Sequence, residues 1–163
     1  MRFQFAFARV PTEAWYLNFQ EVAGGHLGVG CDLPITRVQD RDGRPLGLML
    51  GIAVGPTTLL ETTAVLPFSA ADREFWRQFE AFLNECAGRF AFVLEHDGQA
   101  RLYTDPVGMI GAVYDAEAHR FASSVHLALT RPVEANPLYS APILDGIETR
   151  YGIFHTCDAH VKR

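Results

Sequence analysis

Residues 46–55, LGLMLGIAVG, carry no charge and are stopped by Gly55-Pro56. The run falls far short of the roughly 20 apolar residues that span a bilayer. It reads instead as a strand buried in a protein interior. A core around it is available: 48% of the 163 residues are hydrophobic, with 12 Phe, 5 Tyr and 2 Trp, which excludes a disordered chain. The length suits one domain spanning 1–163, and no linker, repeat or low-complexity tract divides it. With 14 Lys+Arg against 19 Asp+Glu and a net charge of −5, no basic face is expected for nucleic acid. The start MRFQFAFARV has no apolar stretch followed by a small-residue cleavage site, so no secretion signal is read there and no membrane partner is expected. Cys31, Cys86 and Cys157 are odd in number and share no Cys-x-x-Cys spacing. They read as reduced thiols of a cytoplasmic protein rather than a disulfide framework.

Phe3, Phe5 and Phe7 alternate with Arg2, Gln4 and Ala6, the period of a strand with one buried face. Weaker strands are predicted over 15–20 and 27–33, with Gly24-Gly25 as the break between them. Arg41-Asp42-Gly43-Arg44 is a turn in which Gly43 can take positive φ. Residues 46–54 form the buried strand, and 59–66, rich in Thr and Val, its neighbour. The helix signal is strongest over 70–87, where Phe75, Phe79, Phe82, Leu83 and Cys86 recur on one face. Ser69 with Asp72 resembles a capping box, and Gly88 is the expected C-cap glycine. Strands over 89–95 and 100–104 flank an Asp97-Gly98 hairpin turn. Asp105-Pro106-Val107-Gly108 is a second tight turn, and 110–114 with 120–122 a further hairpin closed by 115–119. A short helix follows over 124–129. Beyond the Pro-containing stretch 132–142, Ile143, Ile147 and Tyr151 share one face of a last helix. Strands in hairpins with helices between them predict an α+β layered domain.

One region carries more than periodicity. Residues 83–129 present, in order, Gly88-Arg89-Phe90-Ala91-Phe92, an acidic turn, Thr104-Asp105-Pro106-Val107-Gly108, Val113-Tyr114 and Phe121-Ala122-Ser123-Ser124. This order resembles the glutaminase domain of the asparagine synthetase family. That domain reads Gly-x-Phe-Ala-Phe, an acidic turn, Arg-Asp-x-x-Gly, Pro-Leu-Tyr-Tyr and Phe-Ala-Ser-Glu. Thr104 stands for the usual Arg and Ser124 for the usual Glu. The resemblance implies a class II glutamine amidotransferase fold. This is an N-terminal-nucleophile (Ntn) hydrolase-like four-layer αββα sandwich, with two antiparallel sheets between helical layers. Gly88, Phe90, Asp105, Gly108, Ala122 and Ser123 are its structural motif residues here. In the family an ATP-pyrophosphatase synthetase domain follows, and this chain is expected to stop near where that domain would begin.

The family's chemistry needs a cysteine exposed at the N-terminus by Met removal, with its own α-amine as base. Here the second residue is Arg2, a bulky neighbour with which Met1 is expected to stay, and the first hydroxyl is Thr12 behind Pro11. The family's Asn-Gly-Glu segment supplies the oxyanion hole, yet Asn18, Asn84 and Asn136 are the only asparagines and none precedes Gly. Its Gly-Ser-Asp segment is absent too. No catalytic residue is assigned on this reading, and neither a cofactor nor a metal. The resemblance then implies a degenerate amidotransferase-like domain with a structural or docking role, its partner a C-terminal synthetase domain or a second copy of itself.

Two alternatives stand beside it. One is an active glutamine amidotransferase that supplies ammonia to an ATP-dependent amide synthetase. Cys31, freed by cleavage after Gly30, could be its nucleophile, at the loss of the Phe3–Phe5–Phe7 strand. The other is a small-molecule binding module that uses the remaining cleft. Weaker constellations are the segment His155-Thr156-Cys157-Asp158-Ala159-His160, with three possible metal ligands where a structural zinc takes four in two separated pairs, and Ser123, Ser124 and His126, which lack a nucleophile elbow. No Walker or Rossmann glycine pattern is present.

Overall fold

The structure, a computed structural model, describes residues 3–10 and 18–128. In chain order the elements are β1 (Phe5–Ala8), β2 (Asn18–Val22), β3 (Gly25–Val29), β4 (Ile35–Gln39), β5 (Pro45–Val54), β6 (Leu59–Leu60) and β7 (Thr63–Val65). Then come α1 (Phe75–Asn84), β8 (Ala87–His96), β9 (Gln99–Thr104), β10 (Val113–Asp115), β11 (Arg120–Ala122) and α2 (Val125–Ala128). Five strands form one sheet in the order β10-β11-β1-β3-β2. The other sheet runs β7-β4-β5-β8-β9, with β6 added against β5. The fold is thus mixed α+β, built on two packed sheets. Among the described residues no helix is long and apolar enough to cross a membrane.

The apolar strand explains the layering. On β5, Met49 and Ala53 pack toward α1, while Leu48 and Leu50 pack toward the five-stranded sheet. A strand with no polar face needs cover on both sides. On the helix side that cover is Phe75, Phe79, Phe82 and Leu83 of α1, joined by Phe90, Phe92 and Leu94 of the neighbouring β8. On the other side it is Phe5, Phe7, Leu27 and Val29. A third, smaller cluster of Ala6, Ala8, Ala122 and Ala128 lies between the five-stranded sheet and α2.

Several expectations need correction. The strand β1 starts at Phe5 and is buried on both faces, so the one-faced alternation does not hold. Phe3 lies outside it and is 54% exposed. The apolar strand residues divide between two cores: Phe5 and Leu102 pack between the sheets, Phe90 and Phe92 under α1. The break between β2 and β3 falls one residue earlier than expected: Ala23 and Gly24 form the positive-φ turn of the hairpin, and Gly25 opens β3. The helix covers only Phe75–Asn84, without a side-chain cap. Ser69 is engaged elsewhere: its hydroxyl donates to the Asp42 carboxylate, and the Ala70 N–H donates to Asp40 at 2.8 Å. These tertiary bonds hold the chain in turns until Phe75. Gly88 does not cap the helix either. It is the second residue of β8, at φ +133°, and a Cβ there would overlap the Ile52 carbonyl oxygen of β5.

The six-stranded sheet also departs from a purely antiparallel one, because β4 pairs with β7 in parallel, Arg37 opposite Thr63. The physical cause is the intervening β6. It runs antiparallel to β5 and hence in the direction of β4, and the chain crosses to the free edge of β4 without reversing. Finally, Val38 pairs with Gly47 but Gln39 with Pro45, which leaves Leu46 as an extra residue. That bulge turns Leu46 toward the helix although Leu48 faces the other core.

Candidate functional site

Chemistry-bearing residues gather at the two opposite ends of the sheets. At the end where β1 begins and β5 leaves, the strand β9 runs into Asp105, which is buried. The Asp105 N–H donates to the Phe90 carbonyl at 2.9 Å, which docks the turn on β8. One carboxylate oxygen accepts the N–H groups of Val107 at 3.1 Å and Met109 at 3.0 Å, and the other accepts that of Ile110 at 3.0 Å. Gly108, at φ +67°, returns its own N–H to the Asp105 carbonyl at 2.9 Å. Ile110 then enters the core between the sheets. The aspartate therefore steers the chain from the six-stranded sheet to β10 in the five-stranded one. Burial pushes its carboxyl pKa up, but the N–H groups of Met109, Ile110 and Val107 outweigh that and leave it lowered.

Nothing lies within 4 Å of the place a Gly108 Cβ would occupy, so a side chain there meets backbone strain and no clash. Gly108→Val is expected to cost about 1–2 kcal/mol, and Gly108→Asn distinctly less, because Asn tolerates the left-handed region. Chemical denaturation of both variants measures this, and equal losses would contradict the turn geometry.

The remaining expected motif residues lie on the neighbouring strands. Ala122 pairs with Ala6 of β1 and is fully buried. The Ser123 N–H donates to the Phe5 carbonyl at 2.9 Å, and its hydroxyl accepts the Phe5 N–H at 3.0 Å. With its hydroxyl tied to backbone, Ser123 is a strand clip rather than a nucleophile. Cys86 is buried, and burial with the Glu85 charge pushes its thiol up to about 11. It stays protonated at neutral pH. Cys31 is exposed just after β3, and its thiol donates to the Asp32 carboxylate at 3.3 Å. Just after β5, the Gly55 N–H is taken by the Thr58 carbonyl at 2.8 Å and Pro56 has none to offer. Met1, Thr12, the helix expected around Ile147 and the group His155, Cys157, Asp158 and His160 lie outside the described residues, as does the side chain of His126. Among the described residues, no three His, Cys, Asp or Glu side chains converge as metal ligands would.

Sequence reasoning missed Asp40. Its carboxylate is buried and repeats the Asp105 arrangement: one oxygen takes the N–H groups of Asp42 at 2.9 Å and Arg44 at 2.7 Å, the other that of Ala70. Gly43 again sits three residues on, at φ +83°, and donates to the Asp40 carbonyl at 3.1 Å. The Ala70 N–H is the main cause of a lowered carboxyl pKa, working against burial and aided by Arg44 and Asp42. The shared Asp-x-x-Gly spacing was the available signal.

At the other end the space between the sheets opens into a cleft of ≈ 740 Å³. Glu21, Val22, Arg37, Arg44, Leu48 and Glu95 are among its lining residues. His96 is buried at its edge, with its ring 4.3 Å from that of Phe75 and its Nε2 3.3 Å from the Asp97 carboxylate. Its Nδ1 is buried without a hydrogen-bond partner.

What these features define is a class: a mixed α+β sandwich whose two sheets are joined by an aspartate-anchored crossover. No family model, no curated protein and no solved structure matches the chain.

Proposed function

We propose that this chain is an amidotransferase-like domain of the asparagine synthetase type, with the Ntn-hydrolase-like four-layer arrangement, that does not hydrolyse glutamine and serves a docking role. The observation that carries the reading is the Asp105 crossover. Gly88, Phe90, Asp105, Gly108, Ala122 and Ser123 follow the family's order, and each serves the backbone through close strand approach, turn closure or strand pairing. None of these roles needs a substrate.

The absence of hydrolysis rests on the other side of the same end. An oxyanion hole needs free N–H donors aimed at the developing charge. After β5, the Gly55 N–H is already bonded and Pro56 lacks one. The docking role is supported by Val107 and Met109, which are 82% and 60% exposed on a turn whose backbone is pinned by Asp105. A turn whose backbone is already held in place avoids the cost of ordering a loop when a partner covers it. A synthetase domain of the amide-forming kind is the partner this reading names.

Incubation with glutamine is expected to release no glutamate or ammonia above a protein-free control. Intact mass of protein made from the native start codon is expected to include Met1. Glutamate formation, or a chain that begins at Cys31 or Thr12, would overturn the reading.

A further inference from the structure

The apolar core between the sheets ends before the strands do. Arg37 on β4 pairs with Leu48 on β5, and Leu48 pairs with Val93 on β8. Leu48 and Val93 belong to the inter-sheet core, so Arg37 shares their face, and so does Glu95, two residues beyond Val93. From the facing sheet, Gln20 pairs with Leu27, another member of that core. Arg37, Glu95 and Gln20 are all exposed, and all line the cleft over an apolar floor of Val22 and Leu48. Only β5 separates Arg37 from Glu95, which places their backbones about 10 Å apart across the sheet and about 7 Å along it. The two side chains form no ion pair with each other or with any described residue.

We propose that this cleft binds a small zwitterion of the free α-amino-acid type. Its carboxylate meets the Arg37 guanidinium, whose fork matches a carboxylate in two parallel hydrogen bonds. Its ammonium meets the Glu95 carboxylate, and its side chain lies over Val22 and Leu48. The mixed charge of the walls selects this class. A plain anion would also face Glu21, Glu95 and Asp97, and a plain cation would also face Arg37 and Arg44. The cleft volume falls within the roughly 300–1,000 Å³ of small-molecule sites. This goes beyond the docking role, and it lies at the opposite end of the sheets from the Asp105 turn.

The test is a titration of the isotopically labelled protein, followed by NMR, with a pool of free proteinogenic α-amino acids. Parallel titrations use the N-acetylated pool and the C-terminally amidated pool. The free pool is expected to shift the backbone signals around Arg37, Leu48 and Glu95 at millimolar concentration. Each blocked pool should bind roughly tenfold or more weakly, since each lacks one of the two charges recognised. R37Q and E95Q change exposed side chains, so both should keep the wild-type unfolding midpoint while losing the response. No response to the free pool, an equal response to a blocked pool, or undiminished binding by either folded variant would overturn the proposal. The blocked pools keep the test decisive even if a variant fails to fold.

Discussion

Asp105→Ala is expected to destabilise the folded chain by about 3 kcal/mol or more, although it removes only a small carboxylate. The side chain accepts three backbone N–H groups, from Val107, Met109 and Ile110, and the bond to Ile110 is buried. Each buried donor left without a partner costs about 1–3 kcal/mol. Alanine offers no acceptor, and the buried position gives water little access to the Ile110 amide. Asp105→Asn is the milder change, because its amide oxygen still accepts on one side. The effect carries a pH signature. The folded-state carboxyl pKa is lowered, so its contribution is present at and above the ordinary carboxylate range and is lost as the pH falls toward the lower folded value. The wild-type advantage over Asp105→Ala should therefore be widest near neutrality and should narrow below about pH 4. Urea unfolding at several pH values measures both. A loss under about 0.5 kcal/mol at neutral pH, the level of an ordinary surface substitution, would dismiss the crossover role.

Phe79→Ala is expected to be at least as damaging, at about 3–5 kcal/mol. Phe79 is fully buried at the centre of the helix-side core, and its ring lies 5.3 Å from that of Phe92 and 5.1 Å from that of Tyr103. Truncation forfeits the transfer energy of the ring, opens a cavity that sheet and helix can only partly close, and removes edge-on aromatic contacts worth about 0.5–1.5 kcal/mol each. Phe3→Ala is the informative comparison. An alternating Phe3–Phe5–Phe7 strand would make it costly, whereas the exposed position outside β1 makes it nearly neutral. Denaturation midpoints of the two variants decide between these descriptions, and similar losses would favour the alternating strand.

The features legible in the chain itself are those whose cause is local. Phe75, Phe79, Phe82 and Leu83 lie one helical face apart, and burial follows that spacing. Asp97-Gly98 specifies its own hairpin because both residues take positive φ, at 49° and 70°. The length and lack of charge of 46–54 led to a buried strand, and β5 runs over Pro45–Val54. Asp105-Pro106-Val107-Gly108 announces a turn by residue type alone.

What the tertiary structure decided has a common origin in partners distant along the chain. Ser69 and Asp72 have the form of a helix cap, but the Asp40 turn claims Ala70 and Asp42 claims the Ser69 hydroxyl, which delays the helix to Phe75. Gly88 has the form of a helix stop, but the close approach of β5 makes it a strand glycine. The Asp-x-x-Gly spacing marks the turn at Asp40, but its second carboxylate oxygen is taken by an amide 30 residues away, which no local pattern announces. The bulge at Leu46 and the parallel β4–β7 pair are features of strand pairing between segments apart in the chain. The cleft belongs to this group as well: Arg37 and Glu95 come to one face only because β5 lies between their strands in a particular register. Local sequence thus determined which segments could become helix, strand or turn, since propensity and side-chain period act over a few residues. The joining of those segments, and the polar groups left unpaired at their ends, was decided by hydrogen bonds and packing between residues far apart in the chain.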